Sequence, residues 1–482
     1  MGNIKDLKPE GVWRYFEEIC QVPRPSRKEE KIGAFLLDFA KRQGLEAHQD
    51  RVGNVLIRKP ATAGMEGVQT VVLQSHMDMV CEKNTGTEHD FDKDPIVPYI
   101  DGEWVKARGT TLGADDGIGM AAALAILASE DVRHGALECL FTVDEETGLT
   151  GAFALEPGFF TGKILLNLDS EDEGEIFIGC AGGIDTVIEM PLKKEAVPDN
   201  SFAVEVSVKG LLGGHSGDDI DKGRGNAIKI LNRFVWELHD KYKVRIVVFE
   251  GGNLRNAIAR EARVVLVFDQ RYKEQVRVDF NLYQAEMEDV WKLAEPSLQM
   301  GLVSADIPAE ALSVAESGKL LNSLYGCPHG VFTMSKRMPG MVETSTNLAS
   351  VKMNEKILIT TSQRSDVDSE KMNIAQMVES VFLLAGVKVA HSEGYPGWAP
   401  NPDSDLLKIA VASYKKLFGK SPVVRSIHAG LECGLFLKKY PGTDMISFGP
   451  TLRGVHSPDE KVNIRTVEMW WNHLTDILGS IK

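Results

Sequence analysis

Residues 70–78, TVVLQSHMD, place a histidine and an aspartate directly after an apolar run with the length and composition of a buried β-strand. Two further runs have the same form, LECLFTVDEE at 137–146 and KILLNLD at 163–169. The strongly apolar helix pattern GIGMAAALAILAS at 117–129 lies between the first two. Continuous apolar strands that alternate with helices predict a parallel sheet covered on both faces, so this third of the chain is predicted to be α/β.

The middle of the chain has a different pattern. FAVEVSVKG at 202–210 alternates polar and apolar residues as a half-exposed strand does, and residues 224–242 have the spacing of an amphipathic helix. After the Pro- and Gly-rich stretch GYPGWAPNPDSD at 394–405, the alternation of helices and apolar strands seen in the first third of the chain resumes. We therefore predict a catalytic domain formed by residues 1–185 and 396–482, interrupted by an inserted α+β domain at 186–395.

A capping signal is visible near the N-terminus. Ser26 and Glu29 stand three residues apart before KIGAFLLDFAKRQG, which ends at Gly44. This spacing predicts a capping box that begins the second helix.

Acids and histidines follow several of the predicted strands. Open parallel sheets bind their ligands outside the carboxyl ends of the strands, so these groups are expected to converge although they are far apart in sequence. The residues concerned are His76, Asp78, Asp115, Asp116, Asp144, Glu145, Glu146, Asp169 and His456.

Each of these signals has an ordinary explanation when taken alone. A His-x-Asp pair is common, adjacent glutamates usually lie on a solvated surface, and two aspartates before a helix usually act as its cap. Together they differ, because each group adjoins an apolar strand that should be buried, and a buried acid needs a partner or a metal. Two histidines with three or more acids suffice for two metal ions that share a carboxylate, and zinc, cobalt and manganese all accept such ligands.

Composition excludes several classes of function. The net charge is −15, which disfavours nucleic acid and anionic membranes as partners. Apolar residues make up 43% of the chain, yet no run approaches the roughly 18 residues of a membrane span. The first ten residues lack a secretion signal, so a cytoplasmic protein is expected. A homodimer is compatible with the sequence.

The order HMD, GADDGIG, DEE, NLDS and GVHSPDE resembles the M20 family of metallopeptidases. The longer segments at 90–121, 428–436 and 449–460 are similar to its aminoacyl-histidine dipeptidase branch, and the resemblance covers nearly the whole chain. It implies a di-metal aminopeptidase-like catalytic domain with an inserted α+β lid domain. It also implies hydrolysis of dipeptides with free termini, Xaa-His dipeptides included, with two divalent metal ions. Zn²⁺ is favoured, and Co²⁺ or Mn²⁺ are alternatives.

The resemblance assigns roles by position. Asp115 matches the bridging carboxylate, Asp78 the acid that orients a ligand histidine, and Glu145 the general base. The metal ligands would be His76, Asp115, Glu146, Asp169 and His456. Glu145 and Glu146 are neighbours, and in an extended chain their side chains would diverge towards these two tasks. The acid Asp144 stands where the family pattern suggests a different residue.

The substrate would be held by both domains. His215, in the glycine-rich GLLGGHSGDD at 210–219, resembles the lid histidine that stabilises the oxyanion. Asn256 and Arg364 resemble lid residues that hold the substrate carboxylate. Gly430 and Glu432 are placed on the catalytic domain, where Glu432 would receive the free α-amine.

Two other functions remain open at this level. An amidohydrolase that acts on N-acyl amino acids would use the same metal core, although HAGLECGLF at 428–436 favours the dipeptidase branch. A non-catalytic binding protein of the same fold is the second alternative, but the predicted base and ligands are all present.

Overall fold

The computed structural model describes residues 3–482, which form two compact units. The first unit consists of the chain up to Gly179 together with Pro400–Ser426 and Leu431–Lys482. The second consists of Cys180–Ala399 and the short segment Ile427–Gly430. The boundaries predicted at 185 and 395 each fall a few residues inside the second unit. Residues 427–430 were placed by sequence in the catalytic domain, whereas this division groups them with the second unit.

The first unit contains most of the helices and two sheets. Its N-terminal part has α1 Glu10–Cys20, α2 Glu30–Gln43, β1 Glu46–Gln49, β2 Val55–Lys59, β3 Val71–His76, β4 Pro98–Asp101, β5 Trp104–Ala107, α3 Ala114–Ala128, β6 Leu137–Thr142, α4 Glu145–Gly148, α5 Thr150–Ala154, β7 Ile164–Asn167 and β8 Glu175–Cys180.

The second unit follows along the chain. It has β9 Gly182–Met190, β10 Lys194–Ala196, β11 Ser201–Lys209, α6 Ala227–Tyr242, β12 Arg245–Gly251, β13 Ala262–Asp269, α7 Lys273–Trp291, β14 Gln299–Ala305, β15 Glu310–Leu312, α8 Val314–Gly326, β16 Gly330–Met334, β17 Val342–Met353, β18 Ile357–Ser365, α9 Asp368–Leu384 and β19 Lys388–His391.

The chain then returns to the first unit. The remaining elements are α10 Asp405–Phe418, β20 Val423–Ile427, α11 Glu432–Lys439, β21 Asp444–Ser447, β22 Leu452–Arg453, β23 Lys461–Asn463 and α12 Ile464–Ser480.

The main sheet of the first unit has eight strands in the order β1-β2-β6-β3-β7-β21-β8-β20. The strands β6, β3, β7 and β21 are parallel neighbours, as predicted from their apolar runs. However, β2 pairs with β6 antiparallel, β1 with β2 antiparallel, and β8 with β21 antiparallel. The sheet is therefore mixed, and the predicted parallel arrangement holds for the four central strands but not for the strands on either side of them.

Helix α3 is buried on all sides because its sequence is apolar all round. Helix α1 is amphipathic and packs against it, with the position of a Cβ on Gly11 only 3.3 Å from Cβ of Ala125. The predicted capping box before α2 is wrong. The N-cap of α2 is Glu29, which makes no side-chain capping bond, and the hydroxyl of Ser26 instead donates to Asp78 Oδ2 at 2.7 Å. The predicted end at Gly44 is confirmed by its left-handed φ of 66°.

The second unit is built on a sheet with the order β14-β11-β13-β12-β17-β18-β9-β19, and β16 pairs with β17. The strand predicted from the alternating sequence is β11, and its pairings with β13 and with β14 are antiparallel. Helix α6 packs its apolar side on this sheet, and Phe234 stacks on Tyr283 of α7 at 5.1 Å. None of the helices within residues 3–482 has both the length and the apolarity required to cross a bilayer.

Candidate metal and substrate site

The first cluster of functional side chains forms where the central strands end. Strands β6 and β7 both run parallel to β3, so the segments that follow these strands leave the sheet at the same edge. His76 is the last residue of β3, and Asp169 comes shortly after β7. His76 Nε2 lies 3.7 Å from Asp169 Oδ1. The local order of apolar strand and terminal polar residue thus places two groups from distant parts of the sequence side by side.

The paired aspartates at the start of α3 have different tasks. Both have non-helical backbone angles, so the regular helix begins after them. Asp116 accepts the N–H of Gly119 at 3.2 Å through Oδ1 and the N–H of His76 at 3.3 Å through Oδ2. Asp116 therefore caps the helix and holds the end of β3. Asp115 is left to face the histidines, with Oδ1 at 3.1 Å from His76 Nε2 and Oδ2 at 3.2 Å from His456 Nε2.

Asp115 joins two groups of side chains that could each hold a metal ion. One group is His76, Asp115 and Asp169, and the other is Asp115, Glu146 and His456. His456 Nε2 lies 2.9 Å from Glu146 Oε2. The ligand atoms of each group lie within 4.8 Å of one another. Because Asp115 turns a different oxygen to each histidine, the arrangement has the form of two sites that share one carboxylate.

Asp78 supports both groups without belonging to either. It is fully buried, and its carboxylate lies 3.3 Å from His76 Nδ1. The same carboxylate accepts the N–H groups of Glu145 at 3.0 Å and Glu146 at 3.2 Å. The side chain predicted to orient a histidine lies beside that histidine and holds the backbone of the two glutamates.

Glu145 and Glu146 begin the short helix α4, so the expectation of an extended chain at this point is wrong. Their side chains diverge because successive residues of a helix point about 100° apart. The preceding Asp144 has a left-handed φ of 52°, and its carboxylate accepts the hydroxyls of Thr147 and Thr150. The Asp144 carboxylate thus stabilises the turn that contains Glu145 and Glu146 through these two hydrogen bonds.

Burial and opposite charges shift the ionisation of this cluster in both directions. Burial opposes the charged form of His76, but the carboxylates of Asp169 and Asp115 outweigh it and hold the pKa of His76 well above its ordinary value. Burial also opposes ionisation of Asp115, yet hydrogen bonds from His456 and His76 lower its pKa. For Glu145 and Asp169 burial dominates and raises the pKa of each carboxyl well above its usual range.

The donor set fits divalent metal ions. Imidazole nitrogens and carboxylate oxygens are the ligands that zinc, cobalt and manganese accept. Within residues 3–482, Glu146 Oε1 is buried and has no hydrogen-bond partner, so a ligand atom is available there. Carboxylates outnumber imidazoles in the cluster, and a cation would relieve their mutual repulsion.

A network of buried polar side chains includes Gln74 of β3, two residues before His76. Gln74 donates to Glu432 Oε2 at 2.6 Å, and the hydroxyl of Thr142 donates to the same oxygen at 2.8 Å. Asn167 in turn donates to Gln74 Oε1 at 2.5 Å. Glu432 is 1% exposed, and its Oε1 has no hydrogen-bond partner among residues 3–482. Burial raises the pKa of Glu432 to about 7.

The second unit contains a cluster around Arg364, which β18 carries and which is 6% exposed. Its Nε donates to the Ser216 hydroxyl at 3.4 Å, its Nη1 donates to the Tyr395 hydroxyl at 3.1 Å, and its Nη2 lies 3.4 Å from His215 Nε2. The Nδ1 of His215 accepts the N–H of Gly217 at 3.3 Å, which fixes the ring orientation. The structure thus brings together two of the substrate residues predicted for this unit.

The other predicted substrate residues are placed differently. Asn256 is exposed, and only its backbone meets the cluster, where its carbonyl accepts the N–H of Ser216 at 2.8 Å. Gly430 belongs to the second unit, not to the catalytic part as predicted. A Cβ on Gly430 would come within 2.8 Å of the ring of Tyr395, so glycine is required for that ring to pack there. His428 is buried beside Ser345, whose hydroxyl lies 2.8 Å from His428 Nε2.

Several supporting residues have no signal in the sequence. Tyr395 lies in a Pro- and Gly-rich stretch that predicts only a loop, and Gln74 sits within an apolar run. Glu460 and Arg24 contact the loop before α3 although they are far from it along the chain. Each has its partner many residues away, so the spacing of neighbouring residues could not reveal it.

The cluster of candidate metal ligands at the strand ends lies in a fold whose class the family match defines: the chain belongs to peptidase family M20/M25/M40, whose model matches residues 72–478. It is 46% identical over 482 residues to the cytosol non-specific dipeptidase of Escherichia coli, covering 100% of this chain and 99% of that protein. It superposes on the crystal structure of the aminoacylhistidine dipeptidase of Vibrio alginolyticus with a TM-score of 0.94 and 44% identity, covering 100% of this chain and 98% of the other.

A more distant structure shows how far the fold extends. The aminopeptidase PepT of Bacillus cereus matches with a TM-score of 0.56 and 18% identity, covering 98% of both chains. The predicted α/β fold and the predicted membership of the M20 metallopeptidases are confirmed by these comparisons.

Proposed function

We propose that this protein is a metal-dependent dipeptidase that hydrolyses dipeptides with free termini, Xaa-His dipeptides among them. The observation that carries the proposal is the Asp115 carboxylate, which turns one oxygen to His76 and the other to His456. The names of the two similar enzymes, from E. coli and V. alginolyticus, supply the substrate class. The first of these names also supports a cytosolic location.

The proposed ligands divide into two sets that share Asp115. The first consists of His76, Asp115 and Asp169, and the second of Asp115, Glu146 and His456. Mixed nitrogen and oxygen ligands favour Zn²⁺, with Co²⁺ or Mn²⁺ as alternatives. When bound, two such ions polarise the scissile carbonyl and lower the pKa of the attacking water.

Glu145 is the proposed general base. Its backbone N–H is held by Asp78 and its side chain is half-buried. Desolvation raises the pKa of its carboxyl, which brings the carboxyl closer to the proton affinity that a base needs near neutral pH. It would take the proton of the attacking water and deliver it to the amine that leaves. Asp78 is proposed to keep His76 in the tautomer and orientation of a ligand.

The two ends of the dipeptide are assigned to different groups. Glu432 Oε1, buried and unpaired among the described residues, is proposed to accept the free α-amine. Arg364 is proposed to bind the C-terminal carboxylate with its guanidinium fork, with Asn256 as a further donor. His215 is proposed to stabilise the oxyanion, and Gly430 to leave space for the substrate backbone. In this proposal the second unit acts as a lid domain.

The experiment that tests the proposal is hydrolysis of a dipeptide panel by metal-stripped protein, with Zn²⁺, Co²⁺ or Mn²⁺ added back. Ala-His, β-Ala-His, Gly-Gly and Leu-Ala are the substrates, and an N-acetyl amino acid is the comparison. Metal-restored cleavage of the free dipeptides is expected. Cleavage of the N-acetyl compound alone would favour the amidohydrolase alternative, and no cleavage with any metal would refute the proposal.

The role of Glu145 has its own test. Glu145→Ala is expected to keep the bound metal and to lower kcat by about 10²–10⁴-fold, because a positioned base contributes about that factor. Glu30→Ala, which removes an exposed glutamate of α2, is the matched control and should leave kcat unchanged. Near-normal turnover in Glu145→Ala would contradict the assignment.

A further inference from the structure

A single buried carboxylate holds the loop that leads into α3. Glu460 is 2% exposed, and its Oε2 accepts the N–H groups of Leu112 at 2.7 Å and Gly113 at 2.9 Å. Its Oε1 accepts those of Ala114 at 2.7 Å and Asp115 at 3.2 Å. Four successive amides of the loop therefore point at one buried side chain, which satisfies donors that would otherwise lack an acceptor in the interior. Gly113, in the middle of this run, has no side chain that could accept a hydrogen bond from these amides.

A buried cation holds the same loop from the opposite side. Arg24 is 2% exposed and donates through Nη2 to the carbonyl of Gly113. Its Nη1 donates to the carbonyls of Met77 at 3.0 Å and Asp78 at 2.6 Å. Arg24 thereby connects the loop before α3 to the segment after β3, which carries His76.

Gly113 is the residue between these two charges. Its N–H bonds to Glu460 and its carbonyl to Arg24. Its φ is 70°, and a Cβ there would lie 2.6 Å from Arg24 Nη2 and 2.8 Å from Met79 Sδ. Only glycine allows both the left-handed backbone and the close approach of the guanidinium.

Glu460 and Arg24 form a clamp on the loop before α3, and this clamp ends at a residue shared by both candidate ligand groups. Asp115 is the last of the four amides held by Glu460, and it belongs to both candidate ligand groups. Glu460 itself stands four residues after His456 and directly before β23, which pairs with β5. One side chain thus ties the loop of the shared carboxylate to the loop of a histidine in the second group.

We propose that Glu460 and Arg24 are positioning residues that fix the Asp115 carboxylate where both metal ions can share it. This inference rests on the proposed function and adds to it two residues that touch neither substrate nor metal. The reason is geometric: a displaced Asp115 would weaken both groups at once, whereas loss of Asp169 or Glu146 would weaken only one.

The decisive variant is Glu460→Gln. An amide has one acceptor oxygen, so its nitrogen would face two N–H groups that lose their acceptor. We expect the metal dissociation constant, measured from Co²⁺ absorption spectra, to rise about 10–100-fold, the range found when residues that support metal ligands are replaced. At saturating metal, kcat should fall while KM for Ala-His stays within about threefold, since the proposed substrate contacts are untouched.

The matched control is Glu138→Gln in the same unit. Glu138 is also a buried glutamate, 3% exposed, and accepts the N–H groups of Thr161 at 2.7 Å and Gly162 at 2.9 Å, but it contacts none of the candidate ligands. The Glu138→Gln protein should be less stable than wild type but keep the wild-type metal affinity and kcat. Equal metal loss in Glu138→Gln and Glu460→Gln would overturn the proposal, because the effect would then be general loosening.

Two further results complete the test. If Glu460→Gln does not fold, Arg24→Lys examines the clamp from the carbonyl side, since one ammonium cannot reproduce the guanidinium fork. Wild-type metal affinity and kcat in a folded Glu460→Gln or Arg24→Lys protein would overturn the inference and leave the proposed function intact. Failure of the wild-type protein to bind metal would overturn the proposed function instead, so the two failures are distinguishable.

Discussion

Replacing Glu432 by glutamine should stabilise the protein and impair it as an enzyme at the same time. In the folded protein, burial raises the pKa of Glu432 from 4.5 to about 7. The unfolded chain releases this proton near 4.5 and the folded chain only near 7, so the free energy of unfolding falls as pH rises between these values. The difference amounts to about 3 kcal/mol at pH 8, and Glu432→Gln should recover it.

The same substitution changes what the substrate meets. Gln74 and Thr142 both donate to Oε2, so the glutamine oxygen should take that position and its NH₂ group should replace Oε1. A donor would then face the α-amine in place of an acceptor. Loss of a charge-assisted hydrogen bond costs about 1.5–3 kcal/mol, which is roughly a 10–150-fold drop in kcat/KM for a free dipeptide.

Stability should be measured by urea unfolding of the metal-free protein at pH 5 and pH 8, because divalent cations near His76 would favour the ionised carboxylate. Kinetics should be measured on Ala-His with metal restored. Glu138→Gln is again the comparison: it removes a buried glutamate whose oxygens are all used, so its stability should fall. A Glu432→Gln protein that is no more stable than wild type at pH 8, or that keeps full kcat/KM, would refute the reasoning.

Three other changes have expected outcomes. Asp78→Asn should leave at least one N–H of the Glu145–Glu146 turn without an acceptor, and metal affinity by titration should fall about 10–100-fold; an unchanged affinity would show that Asp78 has no supporting role. Burial lowers the pKa of His473 to about 4. Below about pH 6.5 the unfolded chain takes up a proton that the folded chain does not, so the free energy of unfolding falls by about 3 kcal/mol towards pH 4. In His473→Phe this part of the pH dependence should disappear from urea titrations. Phe234→Ala should cost about 3–5 kcal/mol in the second unit, seen by calorimetry, while the metal dissociation constant stays at the wild-type value; a raised constant would contradict the assignment of all ligands to the first unit.

The strand ends of the first unit were predictable because two signals coincide in each of them. In TVVLQSHMD an apolar run predicts burial, and the acid or histidine that follows has no reason to be buried unless it has a partner. The structure places His76, Asp169 and His456 around Asp115 accordingly. Their roles as ligands stay a prediction until metal is measured.

The features that sequence did not reveal depend on contacts across long stretches of chain. Ser26 and Glu29 have the spacing of a capping box, but Ser26 bonds to Asp78, 52 residues away. The antiparallel pairing of β2 with β6 could not be predicted from its apolar residues, because a buried strand reads the same in either direction. Glu460 lies in a loop that predicts no partner, although four amides point at it.

The position of β21 in the main sheet has a consequence for how the chain is made. This strand comes from the last part of the sequence, yet it lies between β7 and β8. During synthesis the sheet of the first unit therefore cannot form completely until residues Asp444–Ser447 have left the ribosome. The second unit is nearly continuous in sequence, and all of its residues are synthesised before Asp444. Since domains fold as units while the chain emerges, we expect the second unit to fold before the first unit is complete.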